Sequence, residues 1–223
     1  MLKNIEQTPV KRRSKGERTK KLILESAISI LAEQGIKGTT HRAVAAHANI
    51  QLSLTTYYFK DIQELVQQAF ELNSQNVARV TENLWQPILA LVAIQSKVAL
   101  RRVSLRIELQ EELTDLLQTM IRLNIDRNRK QLIVEQQLFN ESQVSLSLRP
   151  LAEQHYETLL KPCKQLCQYF SKDIVNVNAQ MLLILIQQTQ YRQLLLERAT
   201  IDSHEMRTLL QQTLAIVLAI KPQ

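Results

Sequence analysis

GTTHRAVAAHANIQLSLTTYYFKDIQELV, residues 38–66, decides how the N-terminal part of this chain folds. Thr40 stands directly before a short helical run, where its hydroxyl can accept one of the amides a helix leaves free at its start. Val44, Ala45 and Ala48 then recur at helical spacing and form an inner face. Asn49 marks the stop, because asparagine is the residue after glycine that best tolerates left-handed backbone. A further short helix opens at Gln51 and reads Leu52-Ser53-Leu54-Thr55-Thr56-Tyr57-Tyr58-Phe59. Asp61 and Glu64, three residues apart, are spaced as a capping box for a fourth helix, which carries Leu65, Val66, Ala69, Phe70 and Leu72 toward a core. Two short helices about a tight turn can set the second into a DNA major groove about 12 Å wide. The small hydroxyls of that second helix allow close approach to base edges, and its tyrosines reach phosphates. A helical hairpin with an ordinary polar surface is the competing reading.

Working outward, Leu22, Ile23, Ala27, Ile30 and Leu31 predict a first helix over about 19–34, with Gly35 as its left-handed stop. Residues 1–17 hold Pro9, Gly16 and the basic cluster Lys11-Arg12-Arg13-Ser14-Lys15, and read as a flexible arm that could follow phosphates or reach a minor groove. A solvated tail is the alternative. Charge supports the first view. Residues 1–60 contain 11 basic and 4 acidic side chains, a surplus equal to the +7 of the whole chain, while residues 61–223 carry 17 of each sign. A basic head on an electrically balanced body fits a polyanion-binding module joined to a separate ligand or partner module.

The run from Thr19 through Leu65, and above all residues 38–66, resembles the N-terminal DNA-binding domain of the TetR family of bacterial transcriptional regulators. The threonine cap, the small-residue helix, the turn, the recognition helix, the aromatic "TTYYF" and the charged start of helix four align without a gap. The resemblance implies phosphate contacts for Thr40 and Tyr58, base-facing positions for Leu52, Ser53, Thr56 and Tyr57, and a backbone contact for Lys60. Arg42 is a further phosphate candidate on charge alone. The chain departs from the family pattern at Asn49, in place of the usual turn glycine, and at Gln51, in place of the usual serine cap. It departs again at Tyr58, where histidine is common, and at Ile62, where a phosphate-binding lysine is frequent.

Three glycines, five prolines and 4% aromatics leave little turn chemistry for sheets, so the fold class expected is all-α. The domains read as an arm at 1–17, a helix-turn-helix domain at 18–64 and a helical ligand-binding and dimerisation domain at 65–223. Helix four is expected to end before Trp85-Gln86-Pro87, followed by helices near 88–109, 113–140, 149–171, 174–199 and 203–220, with Asp202 or Ser203 capping the last. Residues 141–148 are the clearest loop. The resemblance further implies a chamber between the body's helices, with Trp85, Met120, Phe139, His155 and Tyr156 as candidate walls that could equally be core or surface side chains. It implies a homodimer built on the last two helices, for which Met181, Leu182, Leu185, Met206, Leu210 and Leu214 are the candidate interface. With few aromatics and no basic cluster visible along the body, the small-molecule inducer is expected to be largely apolar.

Other classes find little support. The glycines lack the spacing of a phosphate loop, and neither a serine elbow nor an HExxH zinc motif occurs, so no enzyme, cofactor or metal is expected. Glu108, Glu111, Glu112 and Asp115 read as solvated helix surface, and Cys163 and Cys167, at i and i+4, as buried apolar residues. No secretory signal or run of about 20 apolar residues is seen, so no membrane partner and a cytoplasmic location, at the nucleoid when bound to DNA, are expected. The function expected is a ligand-responsive regulator, in the first place a repressor that binds a palindromic double-stranded DNA operator as a dimer. An activator or constitutive regulator of the same fold, or a helical adaptor for an acidic protein, are the alternatives.

Overall fold

The computed structural model describes residues 10–195 and 203–220. These form eight α-helices and two short 3-10 helices, with no strand among the described residues. The chain divides into two compact units, Met1–Asn73 and Ser74–Gln223.

In the first unit, α1 spans Val10–Gly38, with Gly35 breaking the helical run at φ 69°. Thus residues 10–17, expected to be a loose arm, are helical. Lysine and arginine are strong helix formers, and the single Gly16 costs only about 1 kcal/mol relative to alanine. Helix α2, His41–His47, begins at Thr40, whose hydroxyl oxygen accepts the Ala43 amide at 3.1 Å. It ends on a left-handed Asn49 at φ 52°, where the Ile50 amide returns to the Ala45 carbonyl and the Asn49 amide to Ala46. That pair of bonds is a Schellman closure with asparagine in the glycine position. Helix α3, Leu52–Tyr58, starts at Gln51 with no side-chain cap. Ile23, Ala27, Leu31, Val44, Phe59 and Phe70 are buried and tie these helices together.

Helix α4, Ile62–Ala93, contributes residues to both units. Asp61 accepts the Glu64 amide at 2.8 Å, and the Glu64 carboxylate accepts the Lys60 amide at 2.8 Å. The reciprocal cap therefore forms, one residue further back on the return bond than the usual box. The helix does not stop at Trp85-Gln86-Pro87 but runs through the proline. Pro87 removes the amide that would bond Asn83, yet Trp85, Ile88 and Val92 are buried on one face, and that packing carries the helix onward.

The second unit continues with a 3-10 turn at Ala99–Arg101 and with α5, Val103–Glu141, one helix where two were expected. Nothing between residues 103 and 141 is proline or glycine, and the only irregular backbone is at Asn128. A turn and a 3-10 segment, Leu146–Leu148, lead to α6, Arg149–Cys167. Then come α7, Val175–Leu194, and α8, Ser203–Val217. The expected cap Asp202 and the end of the 174–199 helix beyond residue 195 lie outside the described residues. Helix α8 closes with a second Schellman pattern on a left-handed Ala219, φ 53°.

A single apolar cluster fills this unit, and it includes Leu182, Met206, Leu210 and Leu214. Four of the six residues expected at a subunit interface are therefore spent in the protomer's own core, and Met181 and Leu185 pack against it. The physical reason is that α7 and α8 carry apolar residues on two faces, and the larger stripe turns inward. The outer stripe holds Val177 (64% exposed), Ile184 (56%), Leu209 (39%) and Ile216 (54%). Along the body, Arg207 bonds Glu111 at 2.6 Å and also Asp115, so half of the acidic run is paired with α8. Cys163 and Cys167 are free thiols, both fully buried.

Candidate nucleic-acid face and effector cavity

On α3 the helical period sorts the side chains into two sets. Thr55 and, just past the helix, Phe59 are buried, while Leu52, Ser53, Thr56 and Tyr57 share the opposite face and are exposed. Tyr57 is 79% exposed and Leu52 43%. The hydroxyls of Thr55 and Thr56 donate to the carbonyls of Leu52 and Ser53, which fixes their rotamers. Lys60 and Arg42 are exposed at the margins of the same unit. Thr40 is exposed too, and because its oxygen accepts the cap bond, its hydroxyl proton stays available to a phosphate. Tyr58 differs from its neighbour. It is half-buried, stacked edge-on against Tyr57 at 5.1 Å, and its hydroxyl lies 3.4 Å from where a Cβ on Gly16 would stand. Lys20 sits 5.6 Å over the Phe59 ring, a basic group held beside α3 by an aromatic face.

Among the described residues of the second unit are a small cavity and a larger one. The smaller, about 40 Å³, is lined by Trp85, Met120, Leu132, Glu135, Gln187 and Gln190, among others, and has room for a water or two. The larger is an open groove of about 1390 Å³ along α4, the 3-10 turn and α6, with Trp85, Leu89, Leu100, Pro162 and Phe170 in its apolar floor. Of the five expected wall residues, Trp85 borders both cavities and Met120 only the small one. Phe139, His155 and Tyr156 border neither.

His155 has another role. Its Nε2 meets Glu135 Oε2 at 2.9 Å, and Tyr191 donates its hydroxyl to Glu135 Oε1 at 2.7 Å, so one buried carboxylate ties α5, α6 and α7. Phe139 lies against the His155 ring at 5.6 Å. Burial first, and then the charge of Glu135, hold the Tyr191 hydroxyl far above the usual phenol range. Burial likewise pushes the Cys167 thiol up to about 12 and Cys163 higher still. Neither thiol is poised for redox or metal chemistry, and no group of three or more metal-ligating side chains occurs among the described residues.

The sequence reading missed the groove's rim. Arg79, Lys97, Arg101, Arg106, Lys161 and Lys172 all line it, against the single carboxylate of Glu82. Three of the six, Lys97, Arg101 and Arg106, lie within residues 97–106, a run with four basic and no acidic side chains that could have pointed to the rim; Arg79, Lys161 and Lys172 come from elsewhere in the chain. A largely apolar inducer was expected on the reading that the body holds no basic cluster; the run at residues 97–106 was overlooked, and the fold adds Arg79, Lys161 and Lys172 to it.

Residues 23–69 match the sequence family described as bacterial regulatory proteins, tetR family. No curated protein matches the chain. Among solved structures, a protein described as a tetR-family transcriptional regulator from Mesorhizobium loti MAFF303099 is similar at TM-score 0.67 and 13% identity, covering 92% of this chain and 97% of its own. A TetR-family member from Streptomyces coelicolor A3 is similar at TM-score 0.62 and 23% identity, with 87% and 97% covered. The multidrug binding protein EbrR, complexed with ethidium, is similar at TM-score 0.59 and 24% identity, again with 87% and 97% covered. No helix among the described residues is long and apolar enough to cross a membrane.

Proposed function

From the premise that its N-terminal domain is of the tetR regulatory family, we propose that this protein is a ligand-responsive transcriptional repressor, acting as a homodimer on a palindromic operator. The observation that carries the reading is the exposed face of α3, Leu52, Ser53, Thr56 and Tyr57, set within residues 1–60, whose surplus of basic over acidic side chains equals the +7 of the chain. Hydroxyls and apolar tips on that face discriminate bases, while Thr40, Arg42, Tyr58 and Lys60 bind phosphates and hold the register.

A two-fold dimer sets its two α3 helices in successive major grooves, about 34 Å apart, and so reads an inverted repeat and covers a promoter. The surface offered for that dimer is the outer stripe of α7 and α8, with half-buried Met181 and Leu185 beside it, rather than the buried Leu182, Met206, Leu210 and Leu214. The effector occupies the large groove of the second unit, and α4, which contributes to both units, transmits its presence. Release requires the effector to prefer the state that does not fit DNA, because equal affinity for both states shifts nothing. That EbrR was solved with proflavin and with ethidium supports a small-molecule role for such a body.

The test is unbiased selection of duplexes by the purified protein, repeated with Ser53→Ala and Tyr57→Ala. The expected result is a palindromic consensus whose base preferences change in the variants. Binding that survives both substitutions with the same preference refutes the base-reading role.

A further inference from the structure

We propose that the groove of the second unit takes an amphipathic organic anion carrying more than one negative charge, with an apolar or aromatic body and phosphate or carboxylate ends. The inference rests on the reading of that groove as the effector site and names the chemistry of what enters it.

The argument starts from charge balance. Residues 74–223 carry 17 basic and 14 acidic side chains, yet six basic residues and one acidic residue line this groove. Arg79, Lys97, Arg101, Arg106, Lys161 and Lys172 form no ion pair among the described residues. Other basic groups of the same unit do find carboxylates: Lys164 pairs with Glu157, and Arg207 with Glu111 and Asp115. The six at the groove have no carboxylate partner among the described residues to neutralise them, and Glu82 is the one acidic side chain in the lining. Like charges around a concave wall repel one another, and the low-dielectric floor strengthens the field they create. An incoming anion relieves that repulsion, and a cation adds to it.

The remaining lining says what else the ligand carries. Trp85, Leu89, Leu100, Pro162 and Phe170 give an apolar floor, and about 1390 Å³ exceeds what an inorganic anion fills. Ethidium, bound by EbrR, is an aromatic cation; the rim of this groove has the opposite preference.

Trp85 is the only tryptophan of the chain and borders the groove, so its emission reports occupancy in the intact protein. Decyl phosphate and decyltrimethylammonium, each below its micelle concentration, and decanol, below its solubility limit, share a tail and differ in charge. The expected result is saturable binding of decyl phosphate about tenfold tighter than either of the others, weakening as salt is raised. The double variant Lys97→Gln/Lys172→Gln should loosen decyl phosphate about fivefold, and Glu82→Gln should tighten it, a direction that misfolding does not produce. Equal or tighter binding of decanol or of the ammonium, or no Trp85 response to the phosphate, overturns the inference. A parallel titration against the selected operator duplex keeps the two readings apart. Anion binding without any change in DNA affinity leaves this inference standing and removes the effector role. DNA release by the neutral or cationic amphiphile alone does the reverse.

Discussion

Replacing Ile184 and Ile216 together by glutamate should abolish the dimer while sparing the protomer. Ile184 is 56% exposed and Ile216 54%, so neither contributes much to the fold. Covering the roughly 100 Å² left open on each isoleucine, at about 25 cal/mol per Å², gives ~2.5 kcal/mol per side chain. Two-fold symmetry counts every substitution twice, so one such change costs about 5 kcal/mol per dimer, a fall of three to four decades in the association constant as a ceiling. Leu182→Ala is the control. Leu182 is fully buried in the protomer's core, and its truncation should cost about 2–5 kcal/mol of folding stability with little effect on association once folded. Sedimentation equilibrium reads the association constant, and urea titration followed by circular dichroism reads the stability. If the double glutamate variant dimerises like the parent, or if Leu182→Ala weakens association while stability is unchanged, the assignment of outer and inner stripes is wrong.

Other perturbations follow from local features. Arg42→Ala or Lys60→Ala should lower DNA affinity evenly across sequences and reduce the slope of log affinity against log salt by about one each, as measured by fluorescence anisotropy at several salt concentrations. Gln51 caps α3 without a side-chain bond, so Gln51→Ser should raise the stability of the head by about 1 kcal/mol in thermal or denaturant unfolding. Ala219→Gly should also stabilise, by about 1 kcal/mol, because alanine at φ 53° carries the left-handed penalty that glycine avoids. The Cys167 thiol is raised from 9.0 to about 12 in the folded chain, so its contribution to stability is complete below pH 9 and is lost as pH rises from 9 to 12. At pH 8 iodoacetamide should therefore leave both thiols unmodified in the native protein and alkylate both in urea, as mass spectrometry will read.

The head was legible because its signals are local. Thr40, Asn49 and the Asp61–Glu64 pair each act within five residues of themselves, and each forms a bond in the structure that its residue type suggests. The body was less so. Pro87 read as a boundary, but whether a proline ends a helix depends on what its neighbours pack against, and Trp85, Ile88 and Val92 are buried. On α7 and α8 the periodicity marks apolar faces without saying which turns inward, since Leu182 and Ile184 are chemically alike. The groove's rim was only half legible, through the basic run at residues 97–106, for a different reason. Arg79, Arg101 and Lys172 are distant in the chain, and only the tertiary arrangement makes them neighbours of one space. Glu135 and Tyr191 escaped notice likewise, and His155 was read as a chamber wall, because the three sit on three different helices.

Arg106 belongs to two structures at once. Its Nε donates to the Leu100 carbonyl at 2.6 Å and its Nη1 to the carbonyls of Leu218, at 2.9 Å, and Ala219, at 3.4 Å, where α8 closes on left-handed alanine. The same guanidinium borders the groove, and its Nη2 hydrogens are not used in these bonds. A ligand oxygen on Nη2 would fix the orientation of the planar fork and, with it, the strained end of α8. The last turn of the chain's last described helix thus becomes a mechanical readout of an occupied groove, and its amides should exchange hydrogen more slowly when the groove is filled.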